Sequence, residues 1–255
     1  KRGVFVYPWE GTTVIGTTDI DHNEDIDIEA GISDQEVDYL LKAFNSQFPS
    51  KILNRSDVLS TWAGVRPVIG AEKSKDPSKE RRDHAVWSDN GLITVSGGKL
   101  TTFRLIALDA LAAAKDNLPK AKEISDDRVF LTPTITAQSL SPENTSWAQR
   151  LLGRYGEKAI ELVNESSPDE HHHLNETEFS LAECRWAIKH EAVVHLDDLL
   201  LRRTRLGMCL PNGGTNLYPA LKELFLSNQN WDDERWQQEV TRYETIWKKY
   251  YSLPS

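Results

Sequence analysis

The stretch that decides the fold is Gly91-Leu-Ile-Thr-Val-Ser-Gly-Gly-Lys-Leu-Thr-Thr-Phe-Arg104. Leu92, Ile93 and Val95 predict a short buried strand, Gly97 and Gly98 a tight turn, and Leu100-Thr101-Thr102 the opening of a helix that runs to about Lys115. A glycine pair ahead of a helix leaves backbone N–H groups unpaired and uncrowded by Cβ atoms, which suits an electron-rich ligand edge. Lys99 adds a full positive charge at the same spot. Two familiar phosphate loops do not fit. A Walker A loop needs Gly and Ser/Thr where this chain has Ile93 and Leu100, and no Gly-x-Gly-x-x-Gly run exists in it. Taken alone, the stretch also fits a plain strand–turn–helix junction with a surface lysine.

Upstream, Val4 and Val6 followed by Val14 and Ile15 predict a hairpin around Trp9–Thr13, with Gly16 as the break before Thr17. The acidic segment from Asp19 to Glu29 reads as a loop. Ser33-Asp-Gln-Glu36 is a capping box, and Val37, Leu40, Leu41, Phe44 and Phe48 follow at helical spacing up to Pro49. Val58 to Val68 is a strand candidate ending at Arg66-Pro67, where proline keeps the preceding residue extended. A guanidinium at a strand end offers a planar fork for two oxygens of a phosphate or carboxylate; a structural ion pair is the competing use. Glu72 to His84 reads as a solvated loop, and Ala85 to Trp87 as a second strand leading into the Gly-Gly-Lys strand.

Past Pro119 strand signals give way to amphipathic helices, so the expected class is α+β: antiparallel strands within residues 1–117, then an all-α domain over 118–255, with the boundary between Asn117 and Pro142. Trp147, Leu151, Leu152 and Tyr155 mark a helix broken near Gly156. A second capping box, Ser180-Leu-Ala-Glu183, opens a long helix through Leu200 with Gly207 as its C-cap, and Asp198 is placed to pair with Arg202. Trp236, Val240, Tyr243, Trp247 and Tyr250 form a seam that packs on another helix, within the helical domain in preference to another protein.

The chain has 255 residues, 39% of them hydrophobic, with eight Trp to fill cores. A net charge of −9 and a pI near 5.3 argue against nucleic acid as a partner. There is no run of eighteen apolar residues, and Cys184 and Cys209 show no disulfide framework, which fits a reducing, cytoplasmic compartment. Asp169-Glu-His-His-His173 reads as an acidic loop, because consecutive histidines cannot all face one metal ion. His190-Glu191 and His195 are spaced one residue too far apart for a zinc-protease helix.

Four segments in order, Gly16-Thr-Thr-Asp19, Ala63-Gly-Val-Arg-Pro67, Ser96-Gly-Gly-Lys-Leu-Thr-Thr102 and Leu199-Leu-Leu-Arg-Arg-Thr-Arg-Leu-Gly207, resemble the FAD-dependent glycerol-3-phosphate dehydrogenases of the respiratory, aerobic type. The likeness runs from about Gly3 to Gly207; residues 208–255 match poorly. The resemblance implies that residues 1–117 are the C-terminal part of an FAD- and substrate-binding domain. FAD would be the cofactor, contacted by Gly97, Gly98, Lys99, Leu100 and Thr101. Arg66, Lys99 and Thr17 would serve catalysis: Arg66 on the substrate phosphate, Lys99 at the flavin and substrate, Thr17 as a hydroxyl near the substrate. A turn hydroxyl bonded to its own backbone is the competing reading of Thr17.

The reaction so implied is oxidation of glycerol 3-phosphate to dihydroxyacetone phosphate, with electrons passed to quinone in a dehydrogenase or to oxygen in an oxidase. Such an enzyme would contact the inner face of the cell membrane peripherally, and a homodimer is among the arrangements the resemblance allows. The strand-like opening Lys1-Arg-Gly-Val and the single internal Met208 lead to the expectation of a C-terminal half, inactive alone. The Rossmann βαβ and the basic histidine would then lie upstream, so neither His22 nor His84 is assigned as the base. Two alternatives stand beside this reading. One is a flavin oxidoreductase of another anionic substrate; the other makes residues 118–255 a non-catalytic docking or oligomerisation module.

Overall fold

The computed structural model of the chain describes residues 3–66, 84–118 and 134–254. Its contacts group into two compact units. The first comprises Lys1–Thr18, Asp25–Gly64 and Thr132–Ser255, and the second Asp19–Glu24 and Val65–Leu131. The chain is α+β, with short antiparallel hairpins followed by helices.

In the first unit, strands β1 (Phe5–Trp9) and β2 (Thr12–Gly16) pair antiparallel from Phe5↔Gly16 to Trp9↔Thr12. Glu10 (φ 49°) and Gly11 (φ 78°) turn the hairpin, both left-handed as a tight two-residue turn requires. A Cβ on Gly11 would overlap the Glu176 carbonyl oxygen, so the turn sits tightly on that loop. Helix α1 (Asp34–Gln47) starts at the expected capping box: the Glu36 N–H donates to Ser33 Oγ (3.4 Å), and the Ser33 N–H to Glu36 Oε2 (3.0 Å). Thr18 Oγ1 also donates to Glu36 Oε1 (2.5 Å), tying the end of the hairpin segment to the helix.

The helical part holds most of the core. Helices α3 (Ala137–Leu140), α4 (Thr145–Tyr155) and α5 (Lys158–Glu165) gather around Trp147, Leu151 and Leu162, and Gly156 ends α4 as expected. Helix α6 (Leu181–His190) opens on the predicted box, with the Ser180 N–H donating to Glu183 Oε2 at 3.0 Å. The long helix expected through Leu200 is not continuous. It stops at His190, Ala192 takes φ 52°, and a π-helical turn spans Asp198–Arg203, closed by the Thr204 N–H on the Leu199 carbonyl (3.0 Å). The break is stable because side chains satisfy the carbonyls it frees: Gln229 Nε2 donates to Ile188 O and Val193 O, and Arg203 Nε to Glu191 O.

Asp198 spends its carboxylate on the N–H groups of Val194 and His195, so Arg202 pairs with Asp197 (2.7 Å) instead of the expected Asp198, and Arg242 takes the other Asp197 oxygen. Gly207 lies inside the short helix α7 (Leu206–Cys209) and caps nothing; its missing side chain makes room for the Tyr243 hydroxyl. Helices α8 (Tyr218–Asn228) and α9 (Asp233–Tyr250) complete this core. Trp236, Val240 and Tyr243 are buried in it, and Trp247 Nε1 donates to the Gly207 carbonyl (2.8 Å). Four of the five seam residues, Trp236, Val240, Tyr243 and Trp247, are thus used inside the helical domain.

Residues 58–66 do not form the expected strand; residues 67 and 68 lie outside the described residues, as does the loop expected from Glu72 to His84, except for His84, which begins a strand instead. Their polar groups bond elsewhere: Ser60 Oγ to Met208 O, the Thr61 N–H to Tyr251 O and Thr61 Oγ1 to Ser252 O.

A buried charge cluster binds the hairpin to the helices. Glu10 meets Arg150 at 2.9 Å and Arg154 at 3.3 Å, both guanidiniums lie 3.6 Å from the fully buried Glu183, and both stack on the Phe179 ring. Burial pushes the Glu183 carboxyl up, while the two arginines and the Ser180 N–H pull it back. This cluster groups the first hairpin with the helical part, so the packing units differ from the sequence division at residues 117 and 118.

The second unit contains strands β3 (His84–Asp89) and β4 (Leu92–Gly97), antiparallel around the left-handed turn Asn90-Gly91. Helix α2 (Phe103–Ala113) packs on this hairpin. The strand expected to be buried is not: Ile93 is half-buried, but Leu92 and Val95 are exposed, because a two-stranded sheet with one helix against it leaves apolar side chains uncovered.

Replacing Glu10 with Ala leaves Arg150 and Arg154 short of a carboxylate and is expected to cost about 3–5 kcal/mol, read as a lower midpoint in urea unfolding. The Glu36 carboxyl is pushed up by burial, but its bonds from Thr18 and Ser33 outweigh this and hold it below the usual value. Its stabilising effect is complete above the ordinary carboxylate pKa and is lost as pH falls below it. Thr18→Val should therefore flatten the acid limb of a melting-temperature profile taken from about pH 6 to about pH 3.

Candidate functional site

β4 ends at Gly97 (φ 78°), Gly98 follows at φ 83°, and the chain enters a 3-10 turn over Leu100–Thr102 before α2 begins. Thr102 holds this corner. Its hydroxyl donates to the Lys99 carbonyl (2.9 Å) and accepts from the Lys99 N–H (3.3 Å), while its own N–H closes on the same carbonyl (2.9 Å). The N–H groups of Leu100 and Thr101 stand ahead of that first closed bond, pointing from the positive end of the helix.

The two glycines do different work. A Cβ on Gly98 would sit 2.5 Å from Ile106 Cδ1 and 3.2 Å from His84 Cβ, so this glycine is demanded by packing of the turn between β3 and α2. Gly97 is exposed. His84 Nε2 meets Asp109 Oδ2 at 2.7 Å, tying the first residue of β3 to the middle of α2 on the side of Gly98. The sequence reading left Asp109 unnoticed, since the helical pattern alone does not say which strand it faces.

The backbone and charge of this corner fit the edge of a flavin. Gly97, Lys99, Leu100 and Thr101 are all exposed, and no acid among the described residues pairs with the Lys99 ammonium. An unneutralised cation beside free helix-start N–H groups is a ready anion site.

Arg66 lies in the same compact unit, with its side chain 44% exposed. Its Nη2 meets Asp19 Oδ1 at 3.3 Å, so two of the four sequence motifs meet here. Asp19 was not among the residues singled out from sequence; an acid at the end of Gly-Thr-Thr-Asp carries no signal of its partner. No hydrogen bond or ion pair among the described residues joins Arg66 to Lys99. Thr17 is exposed and belongs to the first unit.

Three of the histidines weighed for metal binding, His171, His190 and His195, are engaged otherwise. His171 stacks on Trp147 and meets Ser166 Oγ at 2.9 Å, His190 pairs with Glu165, and His195 with Glu239.

The chain is similar to known flavoproteins. Residues 1–104 match the FAD dependent oxidoreductase family, and residues 131–236 match the C-terminal domain of alpha-glycerophosphate oxidase. The bovine mitochondrial glycerol-3-phosphate dehydrogenase is 30% identical over 94% of this chain and 35% of its own length. The aerobic glycerol-3-phosphate dehydrogenase of Bacillus subtilis is 32% identical over 80% of this chain and 40% of its own. A glycerol-3-phosphate dehydrogenase from Bacillus halodurans, solved in complex with FAD, superposes with a TM-score of 0.68 at 27% identity, covering 97% of this chain and 51% of that one.

The chain belongs to the FAD-dependent glycerol-3-phosphate dehydrogenase family. It spans about a third to a half of the length of the relatives it matches. The likeness to these dehydrogenases extends through most of the chain, including part of the tail that its motifs leave unmatched.

Gly98→Ala must place a Cβ against Ile106 in a left-handed backbone, a conformation that costs about 1–2 kcal/mol for a residue with a side chain. The variant in the full-length protein is expected to lose bound FAD, measured as the ratio of flavin to protein absorbance, while helical circular dichroism is retained.

Proposed function

We propose that this chain is part of a flavoenzyme that oxidises glycerol 3-phosphate to dihydroxyacetone phosphate. The observation that carries the reading is the exposed Gly97–Thr101 corner, with a Lys99 at a helix start that pairs with no acid among the described residues, in a chain whose relatives are glycerol-3-phosphate dehydrogenases. FAD, when bound, supplies the acceptor for the hydride leaving C2 of the substrate. Gly97 permits close approach, and Gly98 keeps the turn seated on α2. The N–H groups of Leu100 and Thr101 and the Lys99 ammonium face the negative charge that develops in the reaction, already oriented before it appears. Arg66 takes two oxygens of the substrate phosphate and so holds C2 in place, which is catalysis by positioning. Thr17 offers a hydroxyl to the substrate.

In this reading residues 1–117 supply the flavin and substrate contacts and residues 118–255 form the helical domain. Electrons pass to a quinone, with the protein held peripherally at the cytoplasmic face of a membrane, singly or as a homodimer; no helix among the described residues is long and apolar enough to cross one. A second reading, transfer to oxygen, is favoured by the match of residues 131–236 to an oxidase domain.

Anaerobic addition of glycerol 3-phosphate to the full-length flavoprotein is expected to bleach the flavin absorbance, and glycerol to leave it unchanged. A yellow protein that does not bleach would remove the substrate assignment. Readmitting either oxygen or a soluble quinone to the bleached protein identifies the acceptor by which one restores colour. Arg66→Ala is expected to keep its flavin and raise the KM for glycerol 3-phosphate, at a loss of about 2–5 kcal/mol for one charged contact.

A further inference from the structure

We propose that Asp19 is the positioning residue for anion recognition by Arg66, holding one corner of the guanidinium so that its remaining donors face the phosphate. The inference rests on the reading of Arg66 as the phosphate anchor. Asp19 is the last residue of the Gly-Thr-Thr-Asp motif, and its side chain, 22% exposed, touches Arg66 through a single oxygen, Oδ1 on Nη2 at 3.3 Å. Asp19–Glu24 groups with Val65–Leu131, although the residues flanking Asp19–Glu24 on both sides belong to the other unit. The residue before it, Thr18, is fixed by its bond to Glu36 of the α1 capping box. Within the second unit the carboxylate and the guanidinium are thus already in contact.

A guanidinium has five N–H donors, and a contact through one Nη leaves a two-donor edge available for a second anion. A bidentate carboxylate clamp would occupy that edge; the single contact seen here does not. Left untethered, a half-exposed arginine samples many rotamers and must lose that freedom when the substrate binds. Tethering removes the loss in advance. Against this works the negative charge of Asp19, which repels the incoming phosphate; in this proposal the tethering outweighs it.

The test compares Asp19→Ala, Asp19→Asn and Arg66→Ala in the full-length flavoprotein, measuring KM and kcat for glycerol 3-phosphate and the inhibition constant of inorganic phosphate. Asp19→Ala is expected to raise KM and the phosphate constant together, by about tenfold, with kcat changed far less. Asp19→Asn keeps an acceptor at the same place and should recover most of the loss. Adding Asp19→Ala to Arg66→Ala should raise KM no further, because the two act as one unit. Unchanged or lowered KM in Asp19→Ala, beside a raised KM in Arg66→Ala, would overturn the positioning role and leave the anchor standing. An Arg66→Ala enzyme with normal KM would instead remove the anchor itself. Loss of flavin and kcat in Asp19→Ala without recovery in Asp19→Asn would make Asp19 a folding residue and likewise overturn the proposal.

Discussion

The contact on which the first unit depends is the buried meeting of Glu10 and Glu183 with Arg150 and Arg154. Removing four charges from water is costly, and such a cluster stands only where each charge has a close partner of opposite sign. Here each carboxylate faces both guanidiniums, the guanidiniums lie over the Phe179 ring, and Glu183 also accepts the Ser180 N–H and hydroxyl at the start of α6. The hairpin turn that carries Glu10 is thereby fastened to the helices, and with it the strand that ends at Gly16.

The second unit is built on the opposite balance. None of its described side chains is fully buried, and Leu100, Phe103, Leu105, Leu108 and Leu111 are exposed along the start and length of α2. What order the Gly-Gly-Lys corner has comes from local devices: the three bonds between Thr102 and Lys99, the fit of Gly98 against Ile106, and the His84–Asp109 pair. These fix the backbone while leaving its N–H groups and the Lys99 charge accessible. A corner packed by bulky residues would be more stable and could present neither.

Much of this was legible in local chemistry. Both capping boxes, the Gly156 stop, the hairpin around Glu10-Gly11 and the strand–turn–helix at Gly97-Gly98 were each visible because the deciding residues lie within four positions of one another. The misreadings share an opposite cause. The helix from Ser180 was carried past His190 because its apolar spacing continues, whereas Gln229 and Arg203, from distant segments and invisible to a periodicity argument, stabilise the break. Residues 58–66 look like a strand by composition, but their hydrogen bonds go to Met208, Tyr251 and Ser252, far along the chain.

The sequence by itself determined the α+β class, the helix starts, the glycine turn with its lysine, and the four motifs that place the chain in its family, since each depends on near neighbours and on backbone chemistry. Only the tertiary structure decided which charges meet. Arg202 turned from Asp198 to Asp197 because two N–H groups had already taken Asp198, Glu10 found arginines some 140 residues away, and Asp19 found Arg66. Long side chains of one sign have many possible partners at every spacing, and the choice among them is made by burial, which no local pattern records.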